Sequence, residues 1–343
     1  MQRRIVTPGP LHDDHGRLTE TGYATELIKT YDRGRVAAGR MRIKEWDYYA
    51  VCCDRFAFAL TVDHNGYMTM DSISLLDFTK NSQITSSRIS LPFIAKRDLP
   101  PTSRKGNIRV SGKDYEISFD NDGTQRHLYG RMGSFSKDKP VSFDLLLTDA
   151  PQESMVIVTP YRDHPKAFYY NQKINCMRVD GSILFSEKEY RCNPENTFAV
   201  LDWGRGVWTY DNTWYWGSAS GLADGIPFGF NIGYGFGDTS AASENVLFYG
   251  GKIHKLSQVT FGIPIKDSRE DYLSPWTFSS DDGRFEMTFD PVMDRSAKTD
   301  LKLICSDQHQ VFGRFSGTAV LDDGRKIQIS NLMGFAEKVR NKW

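Results

Sequence analysis

The chain has 343 residues, enough for two domains at about 150 residues each or for one large one, and its 43 Lys+Arg balance 43 Asp+Glu to a formal net charge of zero. That balance argues against a dedicated nucleic-acid or anionic-membrane surface, which needs a basic excess. With 39% hydrophobic and 25% charged residues the chain is globular rather than disordered, and no apolar run approaches the roughly 20 residues of a membrane span.

Aromatic residues make up 13% of the chain, which points to strands and to aromatic-lined surfaces. The five cysteines are odd in number and irregularly spaced. A reduced, cytoplasmic protein is expected, without disulfides. No apolar run follows Arg3 and Arg4, so no signal peptide is expected. No Cys/His spacing fits zinc, no glycine loop fits a nucleotide, and neither metal nor cofactor is expected.

Residues 1–40 are polar and form an N-terminal extension, with a turn at 11–16 and one short helix over 20–31. His12 and His15 bracket two aspartates in that polar loop and are read as structural. From residue 42 the pattern changes. Arg-Ile-Lys-Glu-Trp-Asp-Tyr-Tyr at 42–49, if extended, puts Lys44, Trp46 and Tyr48 on one face and Glu45, Asp47 and Tyr49 on the other. This is either an edge strand with ion pairs or a charged plug at a cavity entrance. Asn65-Gly66, Asn121-Asp122-Gly123, Asp180-Gly181, Asp282-Gly283 and Asp323-Gly324 each sit between β-rich runs, the strongest short-range hairpin signal. Many short strands with turns every 8–12 residues indicate barrels or sandwiches. A loop at 192–196 suggests a division into 41–195 and 196–343.

Two blocks carry candidate chemistry. In 168–173 the tyrosine pair ending at Tyr170 precedes Asn171, Gln172 and Lys173, which are pocket hydrogen-bonders or a solvated strand end. In 202–221 an Asp-Trp-Gly-Arg-Gly-Val-Trp run leads to Trp214-Tyr215-Trp216. As a strand, Trp214, Trp216, Ser218 and Ser220 share a face. Gly229, Gly233, Gly235 and Gly237 then share one parity, and their bare face either receives Trp214 and Trp216 or floors a cavity. Asp238 to Ser243 reads as a capped turn. Glu244 and Asn245, before an apolar run, are better placed to meet a ligand.

The segments at 42–49, 202–208, 214–221 and 233–240 (Gly-Tyr-Gly-Phe-Gly-Asp-Thr-Ser) resemble the family called domain of unknown function 2804, over essentially the whole chain. More remotely, the order Tyr169-Tyr170, Asp180-Gly181, Ala199 to Gly204, then Trp214-Tyr215-Trp216 is similar to tandem-lipocalin proteins such as carotenoid 1,2-hydratase and AttH-like proteins. That resemblance implies an all-β fold of two lipocalin-like antiparallel barrels in tandem. It also implies that Asp202 takes the place of an inter-domain acid.

Three functions follow. The first is acid-type hydration, isomerisation or cyclisation of an unsaturated apolar substrate. Asp202 is then the acid, Arg205 orients it, and Trp208, Trp214, Trp216 and Tyr234 stack on the substrate. The second is carbohydrate chemistry, with Asp202 and either Asp238 or Glu244 roughly 5–9.5 Å apart. The third is a non-catalytic binder of a lipid or other hydrophobic ligand. Trp46, Tyr48, Tyr170, Asn171, Trp203 and Asn231 complete the expected ligand-binding set. The expected partner is a small molecule, apolar or sugar-like.

Overall fold

The computed structural model describes residues 2–91, 97–300 and 305–342. Among them there is no α-helix. Two single-turn 3-10 segments, Arg33–Arg35 and Arg40–Arg42, are the helical content, and no helix is long and apolar enough to cross a membrane. The segment 20–31, expected to be helical, instead supplies the short strands Gly22–Ala24 and Lys29–Thr30. Gly22–Ala24 pairs with residues 156–158, so tertiary pairing overrides a weak local preference.

Two large antiparallel sheets build the molecule. The first runs, neighbour to neighbour, Ser82–Ser90, Thr69–Asp77, Phe56–His64, Ile43–Cys52, Phe198–Val207, Phe168–Phe185, Lys139–Thr148, Arg126–Ser136, Tyr115–Asn121, Gly106–Ser111. It curls until its ends meet. Arg88 on the first strand reaches Asp114, beside the other end, at 3.0 Å, and Tyr115 Oη donates to Asp71 at 2.6 Å. The second runs Lys252–Lys255, Val246–Tyr249, Ile226–Tyr234, Asp211–Ala223, Lys326–Lys342, Cys305–Val320, Phe285–Asp300, Trp276–Ser280, Val259–Gly262. Phe261 of its last strand closes on Tyr215 and Tyr234, with ring centroids 5.7 and 5.5 Å away. Each sheet is thus a lipocalin-like half-barrel. The strand Phe198–Val207, which a division at 195/196 assigns to the second unit, pairs within the first sheet. The chain changes sheet between Val207 and Asp211. A turn signal marks a turn, not which sheet the next strand joins.

The two half-barrels pack through outward faces. Trp216, Phe312 and Phe335 of the second sheet belong to the same buried cluster as the first sheet's core, while Phe230, Phe285, Phe289 and Phe315 fill the second barrel. The joint is made by the long strand Phe168–Phe185. It bulges between Ile174 and Met177, with Cys176 at φ 63°. Asn175 there donates across the gap to Ser218 Oγ at 2.8 Å and to the Phe230 carbonyl at 3.1 Å. The Cys176 N–H donates to Ser220 Oγ at 3.0 Å. Ser218 and Ser220 therefore do face away from the second barrel's interior, as the alternation predicts.

The bare face at Gly229 receives Cys176 rather than a tryptophan. A Cβ there would lie 2.7 Å from Cys176 Sγ and 2.6 Å from the Ala219 carbonyl. Gly235 and Gly237 lie beyond the strand, at φ +96° and +83°, where they turn the chain. Gly229→Ala should therefore cost about 1–3 kcal/mol by overpacking. A lowered urea midpoint at unchanged m-value would show it.

Candidate functional site

Strand register sets two rows of side chains against each other. In the first sheet Tyr48 is the partner of Asp202, and Asp202 of Lys173. In the second, Trp216 is the partner of Glu337, and Glu337 of Gln310. Alternation puts each row on one face, and packing brings the faces together. Tyr48 Oη and Gln310 meet at 3.3 Å, and the Lys173 ammonium lies 4.1 Å from the Trp216 ring centroid.

Lys173 is the centre of the seam. Its Nζ is 2.9 Å from Asp202 Oδ1, and the same oxygen accepts from Asn171 Nδ2 at 2.6 Å. Glu337 accepts from Trp214 Nε1 at 3.0 Å and from Gln310 Nε2 at 2.9 Å. Glu244 comes from the connection after the glycine turn. Its Oε2 accepts from Tyr169 Oη at 3.3 Å, and its Oε1 is buried without a partner. The peptide groups around Glu244 are pinned. Asn231 donates to the Glu244 carbonyl at 3.1 Å, and Lys255 donates to the carbonyls of Ser243 and Asn245 at 2.6 and 2.7 Å. Asn231 also accepts from Trp216 Nε1 at 2.7 Å.

Aromatic rings wall one end. Tyr169 stacks between Phe236 at 4.9 Å and Trp46 at 6.3 Å, and Trp208 stands edge-on to Trp214 at 4.8 Å. Trp46 can lie there because residue 204 is glycine. A Cβ at Gly204 would be 2.0 Å from the indole.

The electrostatics follow from composition. Three carboxyls surround Lys173 in a desolvated seam. Burial pushes the Glu337 carboxyl up to about 7, with Asp202 adding to the rise and Lys173 opposing it. Glu244 is raised for the same reasons, burial first. Burial likewise pushes Lys255 down to about 7. Lys173 and Lys255 both oppose the rise at Glu244 and Lys173 opposes it at Glu337, but burial outweighs them and favours the neutral carboxyls.

Of the expected residues, the structure gathers Trp46, Tyr48, Asn171, Asp202, Trp208, Trp214, Trp216, Asn231 and Glu244 in this seam. It does not bring in the others. Arg205 points the opposite way from Asp202, into the first barrel, where it pairs with Asp47 at 3.0 Å; it does not orient Asp202. Trp203 lies beneath that guanidinium. Tyr170 also faces inward and donates to the Lys29 carbonyl at 2.7 Å. Tyr234 stacks on Tyr215 at 4.5 Å in the second barrel. Asp238 pairs with Arg162 at 3.1 Å and accepts from the Ser240 N–H at 3.0 Å, so it is a turn residue away from Asp202. His12 packs edge-on to Phe168 at 4.6 Å. Among the described residues, no three of His, Cys, Asp and Glu are grouped to hold a metal ion.

Sequence reasoning missed Glu337, Gln310 and Phe236. Glu337 had a signal. It is an acid set between Phe335 and Val339 on one face of the last strand.

A family model described as "Domain of unknown function (DUF2804)" matches residues 2–343. No curated protein matches the sequence. Among solved structures, a putative AttH from Nitrosomonas europaea has TM-score 0.53 at 16% identity, covering 92% of this chain and 98% of that one. Kievitone hydratase from Nectria haematococca has TM-score 0.50 at 11% identity, covering 97% and 98%. CghA with Sch210972 has TM-score 0.51 at 11% identity, covering 96% and 97%. At these identities the similarity is one of fold.

The Glu337 carboxyl ionises in the unfolded chain near 4.5 but in the fold only near 7. The fold binds the extra proton between those values, so Glu337 contributes stability at low pH that is lost as pH rises through about 7. Glu337→Gln should remove that loss, so the variant gains stability relative to wild type as pH rises from 4.5 to 7. Chemical denaturation across this pH range would show it. Trp214 fluorescence should report a transition near pH 7 in wild type that the variant lacks.

Proposed function

We propose that this chain, a member of the DUF2804 family, binds a small, largely apolar unsaturated molecule in the seam and acts on it by proton transfer, adding water, isomerising or cyclising it. The carrying observation is Glu244. Its Oε1 is buried without a partner, beside an aromatic wall, and burial raises its pKa against the pull of Lys173 and Lys255. A carboxyl pushed toward its neutral form in this way can act as a proton donor. Asp202, paired to Lys173, supplies negative potential toward positive charge developing on the substrate, and the indole faces of Trp46 and Trp216 add to it. The acid role first expected of Asp202 thus passes to Glu244, because Lys173 and Asn171 both occupy Asp202 Oδ1.

Asp202, Tyr48, Gln310 and Glu337 along the row are buried, keeping 8, 8, 7 and 8% of their surface accessible. A hydratase among the proteins of similar fold is consistent with this chemistry.

Native mass spectrometry of protein purified from its own host, with extraction of what co-purifies, supplies the compound to test. Wild type should convert it. Glu244→Gln should lower turnover by roughly 10²–10⁴-fold while still binding it, as read by quenching of the seam tryptophans. Conversion by Glu244→Gln at the wild-type rate would overturn the reading. Binding by wild type without conversion would make the protein a carrier.

A further inference from the structure

The interior of the first barrel carries charge that the seam does not use. Arg205 is fully buried there. Besides Asp47 it donates to the carbonyls of Trp46, Gly204 and Pro100, each at 2.8 Å. Arg126 enters the same interior from the strand Arg126–Ser136. Its Nη2 donates to the Ser103 carbonyl at 3.0 Å, and its Nη1 lies 3.8 Å from Met177 Sδ. Among the described residues Arg126 has no carboxylate in ion-pair range. Burial pushes the Asp47 carboxyl up, and the charges of Arg205 and Arg126 both oppose that rise.

The neighbouring Glu45 is paired to Arg33, which leaves Asp47 as the carboxylate acted on by both guanidiniums, and three buried donors lack an acceptor: Arg126 Nε, Arg205 Nε and Trp203 Nε1. Trp203 lies 4.3 Å beneath the Arg205 guanidinium and is the register partner of Asp47. All three orphan atoms are donors. Buried donors, charged ones above all, are costly when left unpaired. The surroundings are closely packed: Leu60, Val62, Ile73 and Leu128 are at most 1% exposed, and Asp47, Asn121 and Arg126 keep 6, 8 and 7%. Such packing favours a small occupant.

We propose that the first barrel binds a small monovalent anion, a halide or the carboxylate of a one- or two-carbon acid, between Arg126, Arg205 and Trp203. The site is separate from the seam and does not depend on the function proposed there. The anion completes the charge count that Asp47 leaves at one positive, and it accepts from donors on both sides of the barrel.

Thermal unfolding of the full chain tests this, with sodium gluconate replaced by sodium bromide at constant ionic strength. Gluconate, a six-carbon polyhydroxy acid, serves as the bulky reference anion. Bromide is the less kosmotropic ion, so general salt effects do not raise stability with it. The midpoint should rise saturably by about 2–4 °C. Arg126→Met should abolish the rise, and Arg109→Met, a surface control paired to Asp120, should keep it. Trp203→Phe, which retains the ring and loses the N–H, should weaken the apparent bromide affinity about tenfold. It keeps the test open if Arg126→Met does not fold. A rise with sodium acetate but not bromide would support the site and assign it to a carboxylate. A flat midpoint with both anions, or an undiminished response in Arg126→Met or Trp203→Phe, would overturn the proposal.

Discussion

The structure depends on one buried ammonium. Lys173 lies between two sheets with a single ion-pair partner, Asp202, 2.9 Å away, and an indole face on its other side. A buried lysine is tolerable only where a carboxylate and an aromatic face replace water. The two come from different sheets, so a shift of the joint would leave the Lys173 ammonium with Asp202 but without the indole face that covers it. The cations near the seam do not offset the burial of its carboxyls, and that gives the seam its chemistry. Glu244 and Glu337 are driven toward the neutral form by burial and by each other's neighbour Asp202.

Close approach at glycine makes the seam possible. Trp46 lies on Gly204, Cys176 fills the space over Gly229, and Glu244 Oε1 sits where a side chain on Gly233 would begin, 2.9 Å from its Cβ position. These glycines let two sheets meet through outward faces, which in an isolated barrel would carry solvent. The strand Phe198–Val207 is consequently buried at every position. The first barrel's inward face is then left with Arg205, Trp203 and Asp47, a polar interior distinct from the seam.

Much of this was legible in the residues. Alternation placed Trp46 and Tyr48 together, and Trp216, Ser218 and Ser220 together, and contacts across the joint bear out Tyr48, Trp216 and both serines, whereas Lys44 reaches Asn65 and Tyr67 instead. The all-β barrel or sandwich followed from turn signals, and the tandem barrels from the resemblance carried by the aromatic blocks. Parity also separated Asp202 from Arg205, since three residues apart on a strand means opposite faces. Grouping them by proximity in sequence hid that. In a strand buried on both sides the polar/apolar contrast vanishes, so no pattern said which face met the other sheet. Glu337 and Gln310 lie more than a hundred residues from Asp202, and only the packing of two sheets joins them. The glycines at 235 and 237 kept the parity of 229 and 233 past the end of the strand, so the period continued where the structure did not.

The central claim is that the seam holds a protonated glutamic acid at neutral pH. Infrared difference spectroscopy of the purified protein at pH 7 reads protonated carboxyls directly through their C=O stretch. The account predicts such an absorption in wild type, with part of it lost in Glu244→Gln. A protonated-carboxyl absorption that Glu244→Gln leaves unchanged would show that the Glu244 carboxyl is ionised in the fold. The proton donor on which the proposed chemistry depends would then not be there.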